Sequence, residues 1–114
     1  MSLQKLQDLD ADAFRRKIVD GGETALVGFV SDWSAPCREM EQTLLQAADH
    51  FYGTVAFYTV DPDNAPLIAA ECEVASIPTL ILFVRGEECD RMVGVRKRED
   101  LEKMIQRFLF SFDF

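Results

Sequence analysis

The sequence predicts an α/β fold in which a central mixed sheet of four to five strands is flanked by four helices. Two observations indicate this class: short apolar runs typical of strands alternate with longer stretches whose apolar residues recur at helical spacing. A third observation is that the last apolar run enters a glycine-containing turn and a further strand, followed by a closing helix. This order of elements places helices on both faces of the sheet.

The first helix is expected to begin at Asp10 and Asp12, which supply a cap and a first-turn acid, and to end at Gly21-Gly22. Its apolar residues fall on one stripe: Ala11, Phe14 and Ile18. The run from Ala25 to Val30 is apolar throughout, as in a strand that a parallel sheet buries on both faces.

A second helix is predicted over residues 34–51 because its apolar residues share one face. They are Cys37, Met40, Leu44, Ala47, Ala48 and Phe51. A strand follows over Val55–Val60. Asn64 is the predicted cap of a short third helix, which has Pro66 in its first turn and runs to about Cys72.

Thr79–Val84 is the third predicted buried strand, and a turn at residues 85–87 leads into a last strand that ends at Val93. The final helix carries one apolar stripe: Leu101, Met104, Ile105, Phe108, Leu109 and Phe112. Phe110 and Phe114 lie off this stripe, in a short aromatic tail at residues 110–114. That tail either folds back on the flank of the sheet or forms a contact in a homodimer or with a partner.

Length and charge narrow the possible functions. The 114 residues suit one domain, residues 1–114. Twelve basic against twenty acidic residues give a net charge of −8, which disfavours binding to nucleic acid. No apolar run reaches the roughly 18 residues of a membrane span, and the polar opening does not resemble a signal peptide. We therefore expect a cytoplasmic protein with neither nucleic acid nor membrane as a partner.

The three cysteines, Cys37, Cys72 and Cys89, are odd in number and do not suggest a framework of structural disulfides. His50 is the only histidine, so no Cys/His spacing for zinc is present, and we expect no metal and no cofactor. Cys72 is interpreted as a semi-buried packing residue and Cys89 as an ordinary small residue of the last strand, with a regulatory disulfide as the alternative.

Two short motifs and one glycine carry a resemblance to the thioredoxin family. Trp33-Ser34-Ala35-Pro36-Cys37 stands where that family has Trp-Cys-Gly-Pro-Cys, and Ser76-Ile77-Pro78-Thr79 resembles its cis-proline segment. Gly94 matches a glycine that lines the family's substrate groove. The resemblance extends from about residue 3 to residue 109, and it implies the thioredoxin fold.

In this family the first cysteine of the motif attacks a substrate disulfide and the second resolves the mixed disulfide. Ser34 stands at the attacking position, and a hydroxyl forms no S–S bond, so the exchange cannot proceed. Serine is among the best helix N-caps, and we interpret Ser34 as one. Cys37 is either a buried, slowly reacting thiol or a monothiol site that takes a reversible cap such as glutathione.

Two more positions depart from the family pattern. The family usually has a buried aspartate where this chain has Gly28, and often a lysine facing it where this chain has Phe57. The two departures are expected to occur together, because neither charge is readily buried without the other. The paired change favours natural divergence over an engineered Cys-to-Ser change at Ser34, although some working family members also vary at this pair.

The resemblance further implies a peptide-binding groove, formed by Trp33, Ala35, Pro36, Ile77, Pro78 and Gly94. In the family, the residue before the cis proline offers its backbone to an extended segment of the partner, and that residue is Ile77 here. The alternative is that Pro78 merely begins a strand in its trans form and that Trp33 packs at the rim.

Three functions remain open at this point. We favour a thioredoxin-like protein of the redox homeostasis class that has lost dithiol turnover and retains the groove for an extended protein or peptide partner. The second is a disulfide oxidoreductase seen as a Cys-to-Ser variant, which a reductase like thioredoxin reductase would recycle. The third is a monothiol redox protein that acts through Cys37.

Overall fold

A computed structural model describes residues 6–110, and its centre is one five-stranded sheet with the strand order β1-β3-β2-β4-β5. The strands are β1 (Gln7–Asp8), β2 (Ala25–Phe29), β3 (Ala56–Val60), β4 (Thr79–Val84) and β5 (Glu87–Val93). The pairs β1–β3 and β2–β3 are parallel, whereas β2–β4 and β4–β5 are antiparallel. The predicted mixed sheet is confirmed, and β1 is the strand that the apolar pattern did not indicate.

Four helices flank the sheet. They are α1 (Ala11–Phe14), α2 (Ala35–His50), α3 (Pro66–Glu71) and α4 (Arg98–Phe110). Asp10 caps α1 as predicted, since its carboxylate accepts the Ala13 N–H at 2.8 Å. The helix then continues as a π-helix over Arg15–Asp20. Residues four apart share a face in both helix types, which is why the stripe of Phe14 and Ile18 did not distinguish them.

The predicted cap of α3 is wrong. Ala65, not Asn64, occupies the N-cap position, and no side chain caps the helix. The backbone already closes a turn there, because the N–H groups of Asn64 and Ala65 both donate to the Asp61 carbonyl, at 3.0 and 2.9 Å. Pro66 lies in the first turn, as expected.

The sheet separates two apolar cores. One lies against α1 and α3, and the other lies against α2 and α4. Every residue of β2 is buried, as the uninterrupted apolar run predicted. In the final helix Leu101, Met104 and Ile105 are buried, and Phe108 and Leu109 pack against the second core.

The hairpin between β4 and β5 turns on Arg85 and Gly86, whose φ angles are +54° and +81°. Two successive positive φ angles are typical of the tight turns that match strand twist. Phe110 is 60% exposed, while the tail predictions for residues 111–114, including Phe112 and Phe114, lie outside the described residues. Within residues 6–110, no helix has the length and apolar character that crossing a bilayer requires.

Candidate functional site

Ser34 is the N-cap of α2. Its backbone is extended, with φ −92° and ψ 121°, and its Oγ accepts a hydrogen bond from the Cys37 N–H at 3.4 Å. The side chain is only 7% exposed. The hydroxyl is therefore buried and engaged with the helix backbone. The only histidine of the sequence, His50, is the last residue of α2, so it lies at the opposite end of the helix from Ser34.

Cys37 lies in the first turn of α2 and is 3% exposed. It is a free thiol, as are the half-buried Cys72 and the exposed Cys89. Burial raises the pKa of Cys72 to about 11, although nearby Arg91 acts in the opposite direction. Burial, with the carboxylates of Asp90 and Glu87, also raises the pKa of Cys89.

The region beneath α2 is apolar around Gly28 and Phe57. A Cβ atom added at Gly28 would lie 3.1 Å from Leu44 Cδ1 and 3.4 Å from Leu80 Cδ2. Phe57 is 7% exposed and stacks on Phe51, with the ring centroids 6.4 Å apart. Leucine side chains thus occupy the space beside Gly28, and an aromatic ring occupies position 57.

Trp33, Ala35 and Pro36 form an exposed surface at the beginning of α2. The Trp33 side chain is 70% exposed, and its Nε1–H donates to Asp63 Oδ2 at 2.8 Å. That bond fixes one edge of the indole and leaves its apolar surface accessible to solvent. The sequence did not single out Asp63, which follows β3 and is distant from Trp33 along the chain.

The Ile77–Pro78 peptide bond is cis, and this segment leads directly into β4. The Gly94 N–H donates to the Pro78 carbonyl at 2.8 Å, so the structure brings these two predicted residues together. Gly94 has a φ of +90°, which favours glycine, and an added Cβ there would meet no atom within 4 Å. Within residues 6–110, the Ile77 N–H and C=O have no hydrogen-bond partner.

Three exposed apolar residues were not singled out by the sequence. Val93 and Val95, on either side of Gly94, are 46% and 42% exposed, and Leu67 on α3 is 70% exposed. Two apolar residues flanking a glycine at a strand end were the signal that could have identified the valines. Nothing in the local sequence of Leu67 distinguishes it from a buried residue.

The segment before Ile77 is held by hydrogen bonds from the side chains of Arg91 and Thr79. The Arg91 guanidinium donates to the carbonyls of Cys72, at 2.7 Å, and Glu73, at 3.3 Å, and it pairs with Glu88 at 2.6 Å. The Thr79 hydroxyl donates to the Ser76 carbonyl at 2.7 Å. These contacts tie the segment to β5 and β4. No cluster of side chains that could hold a metal ion occurs within residues 6–110.

Comparison with known proteins gives consistent matches. The Thioredoxin family model matches residues 5–107. A thioredoxin of Staphylococcus epidermidis is 36% identical over 109 residues, covering 96% of this chain and 100% of that protein. A chloroplast thioredoxin of Arabidopsis thaliana is 34% identical over 105 residues, covering 92% of this chain; the match spans 54% of that longer protein. The structure of a mutant thioredoxin from Halobacterium salinarum superposes with a TM-score of 0.80 at 23% identity, covering 94% and 93% of the two chains.

Proposed function

The chain belongs to the thioredoxin family of redox proteins, and we propose that it binds an extended segment of a partner protein without turning over disulfides. The proposal that the chain binds an extended segment rests on the backbone of Ile77. Its N–H and C=O are unpaired within residues 6–110, beside exposed apolar side chains. An extended peptide would pair with both groups, as in recognition by strand addition.

The proposal that the chain does not turn over disulfides rests on Ser34. A thiolate at a helix N-terminus is the nucleophile of disulfide exchange, and here an oxygen replaces it. The hydroxyl accepts the Cys37 N–H, and no histidine lies near it to act as a base. The relatives named thioredoxins show the family of this chain, and its lack of dithiol turnover is our proposal. A reductase partner has no disulfide to reduce at residues 34–37.

The groove would distinguish partners by shape and apolar contact. Trp33 supplies a broad apolar surface held by Asp63, and Val93 and Val95, exposed on either side of Gly94, would add apolar surface to the groove. Aromatic anchors of this kind supply much of the affinity at protein interfaces. A cytoplasmic location and a homodimer through the aromatic tail remain predictions of the sequence alone.

Binding can be tested with two exposed aromatic residues, one in the groove and one outside it. We expect Trp33→Ala to abolish retention of partner proteins on the immobilised chain, whereas Tyr52→Ala leaves retention unchanged. Tyr52 is 89% exposed and lies just after α2, so it is a matched control. Equal retention by the chain and by Trp33→Ala would contradict the proposal.

Trp33 is also the only tryptophan, so its fluorescence reports on the groove directly. A synthetic peptide from the retained partner should change this fluorescence saturably. The same peptide with one central residue N-methylated should bind at least tenfold more weakly, because it lacks an N–H needed for strand addition. Equal affinity of the two peptides would exclude backbone pairing at Ile77.

A further inference from the structure

A second feature of the molecule is a cavity of about 300 Å³ beside the first turns of α2. It lies at the carboxyl ends of the three parallel strands β1, β3 and β2, the edge at which open α/β sheets usually bind ligands. None of the groove residues lines it. Its apolar wall is Leu6, Val30 and Leu44, and its other lining residues are Asp8, Ser31, Asp32, Cys37, Arg38, Glu41, Thr59 and Asp61.

The polar lining of the cavity is predominantly anionic. Among residues 6–110, the charged side chains that line it are four carboxylates, those of Asp8, Asp32, Glu41 and Asp61, and the guanidinium of Arg38, which donates to the Asp32 carbonyl at 2.9 Å. The two hydroxyls are engaged, since Ser31 donates to Asp61 at 3.3 Å and Thr59 donates to Asp8 at 2.7 Å. The remaining polar surface therefore favours a small molecule that is positively charged and donates hydrogen bonds.

Cys37 contributes a thiol to this wall. Only 3% of it is exposed, it lines the cavity, and its sulfur has no hydrogen-bond partner within residues 6–110. Ser34, whose Oγ accepts the Cys37 N–H, is itself buried and does not line the cavity. A reagent that reaches this sulfur would therefore enter by the cavity and not by the groove.

We propose that Cys37 is a modification site entered through this cavity, and that it takes small cationic disulfides of the aminothiol class. Cys37 loses its proton to solvent, and its sulfur attacks one sulfur of the disulfide. A new S–S bond forms to Cys37 while the old S–S bond breaks, and the departing aminothiolate takes a proton from solvent. Because Ser34 provides no second thiol, the adduct persists until an external thiol removes it.

Three disulfides of similar size and different charge test the proposal. The probes are cystamine, which is cationic, 2-hydroxyethyl disulfide, which is neutral, and 3,3′-dithiodipropionate, which is anionic. The rate of adduct formation at Cys37 is followed by mass spectrometry with peptide mapping. Dividing each rate by that of the chain unfolded in urea removes intrinsic differences between the reagents. We expect a normalised rate about tenfold higher for cystamine than for the neutral probe, and a lower one for the anion.

Two substitutions on one helix locate the entry side. Glu41 lines the cavity, whereas Glu39, two residues earlier and also exposed, does not. We expect Glu41→Gln to lower the cystamine-to-neutral rate ratio about twofold and Glu39→Gln to leave it unchanged. No adduct at Cys37, equal normalised rates for the three probes, or an effect of Glu39→Gln in place of Glu41→Gln would each overturn the proposal. The groove plays no part in these readouts, so the outcome is separate from partner binding.

Discussion

Introducing a carboxyl beneath α2 tests whether this region can hold only an apolar core. We expect Gly28→Asp to destabilise the fold, because Leu44 and Leu80 already occupy the space next to Gly28. Gly28→Ala is the matched control. Its added Cβ approaches the flexible tip of Leu44 at 3.1 Å, so the cost of tighter packing, about 1 kcal/mol, is offset by the smaller backbone entropy of alanine.

The difference between the two variants isolates the carboxyl group. A carboxylate buried without a partner costs about 3–5 kcal/mol, and a neutral acid without a hydrogen bond costs about 1–3 kcal/mol. We therefore expect Gly28→Asp to be about 3 kcal/mol less stable than Gly28→Ala at pH 7. Phe57 lies on β3, which pairs with β2, so Phe57→Lys in the same chain would bring a cation near the carboxyl and should recover part of this loss.

Urea unfolding of the variants measures these free energies. The pH dependence has a definite sign: burial raises the pKa of the introduced carboxyl above its unfolded value of about 3.9, so the deficit against Gly28→Ala grows as the pH rises above that value. A deficit below about 1 kcal/mol at pH 7 would refute the reasoning, since it would mean that the space at Gly28 still accommodates a charge.

Three other predictions concern single groups. Burial, with the hydrogen bond to Glu23, raises the pKa of Tyr58 to about 12, so stability should hold below about pH 10 and fall as the pH rises towards 12. Absorbance titration of tyrosinate in a Tyr52→Phe chain measures this pKa, and a midpoint near 10 would count against it. Alkylation of Cys72 should be slow at pH 8 and rise towards about pH 11, as mass spectrometry would show; fast reaction at pH 8 disagrees with a buried thiol. Asp10→Ala should lower the free energy of unfolding by about 1 kcal/mol through loss of the α1 cap, as urea unfolding would measure. An unchanged free energy would mean that this cap does not stabilise the fold.

The local pattern of the sequence was sufficient to predict the elements in which a continuous run or stripe of apolar residues is buried. Thr79–Val84 was predicted with the bounds that the structure gives, and β2 and α2 differ by one residue at their ends. In β2 and β4 almost every residue is buried, and the predicted apolar stripe of α2 is buried or partly buried, so the spacing of apolar side chains reports the secondary structure directly. The N-cap at Ser34 was equally visible, because capping depends on residues that are close in sequence.

Local patterns did not predict contacts between residues that are far apart in the chain. β1 consists of two exposed polar residues, Gln7 and Asp8, and only pairing with β3 makes them a strand. The bond from Trp33 to Asp63 and the contacts of Arg91 with the segment before Ile77 likewise join residues far apart in the chain. The cavity beside Cys37 depends on three strand ends meeting α2, which the order of elements alone does not reveal.

Reduction of a protein disulfide, with a chemical reductant present to recycle the protein, tests the central claim most directly when the chain and Ser34→Cys are measured side by side. The account predicts no turnover by the chain, because Ser34 provides no attacking sulfur. Turnover by the unchanged chain at a rate approaching that of Ser34→Cys, and lost on Cys37→Ala, would contradict it. In that case Cys37 alone would sustain exchange, and the groove would serve a working reductase.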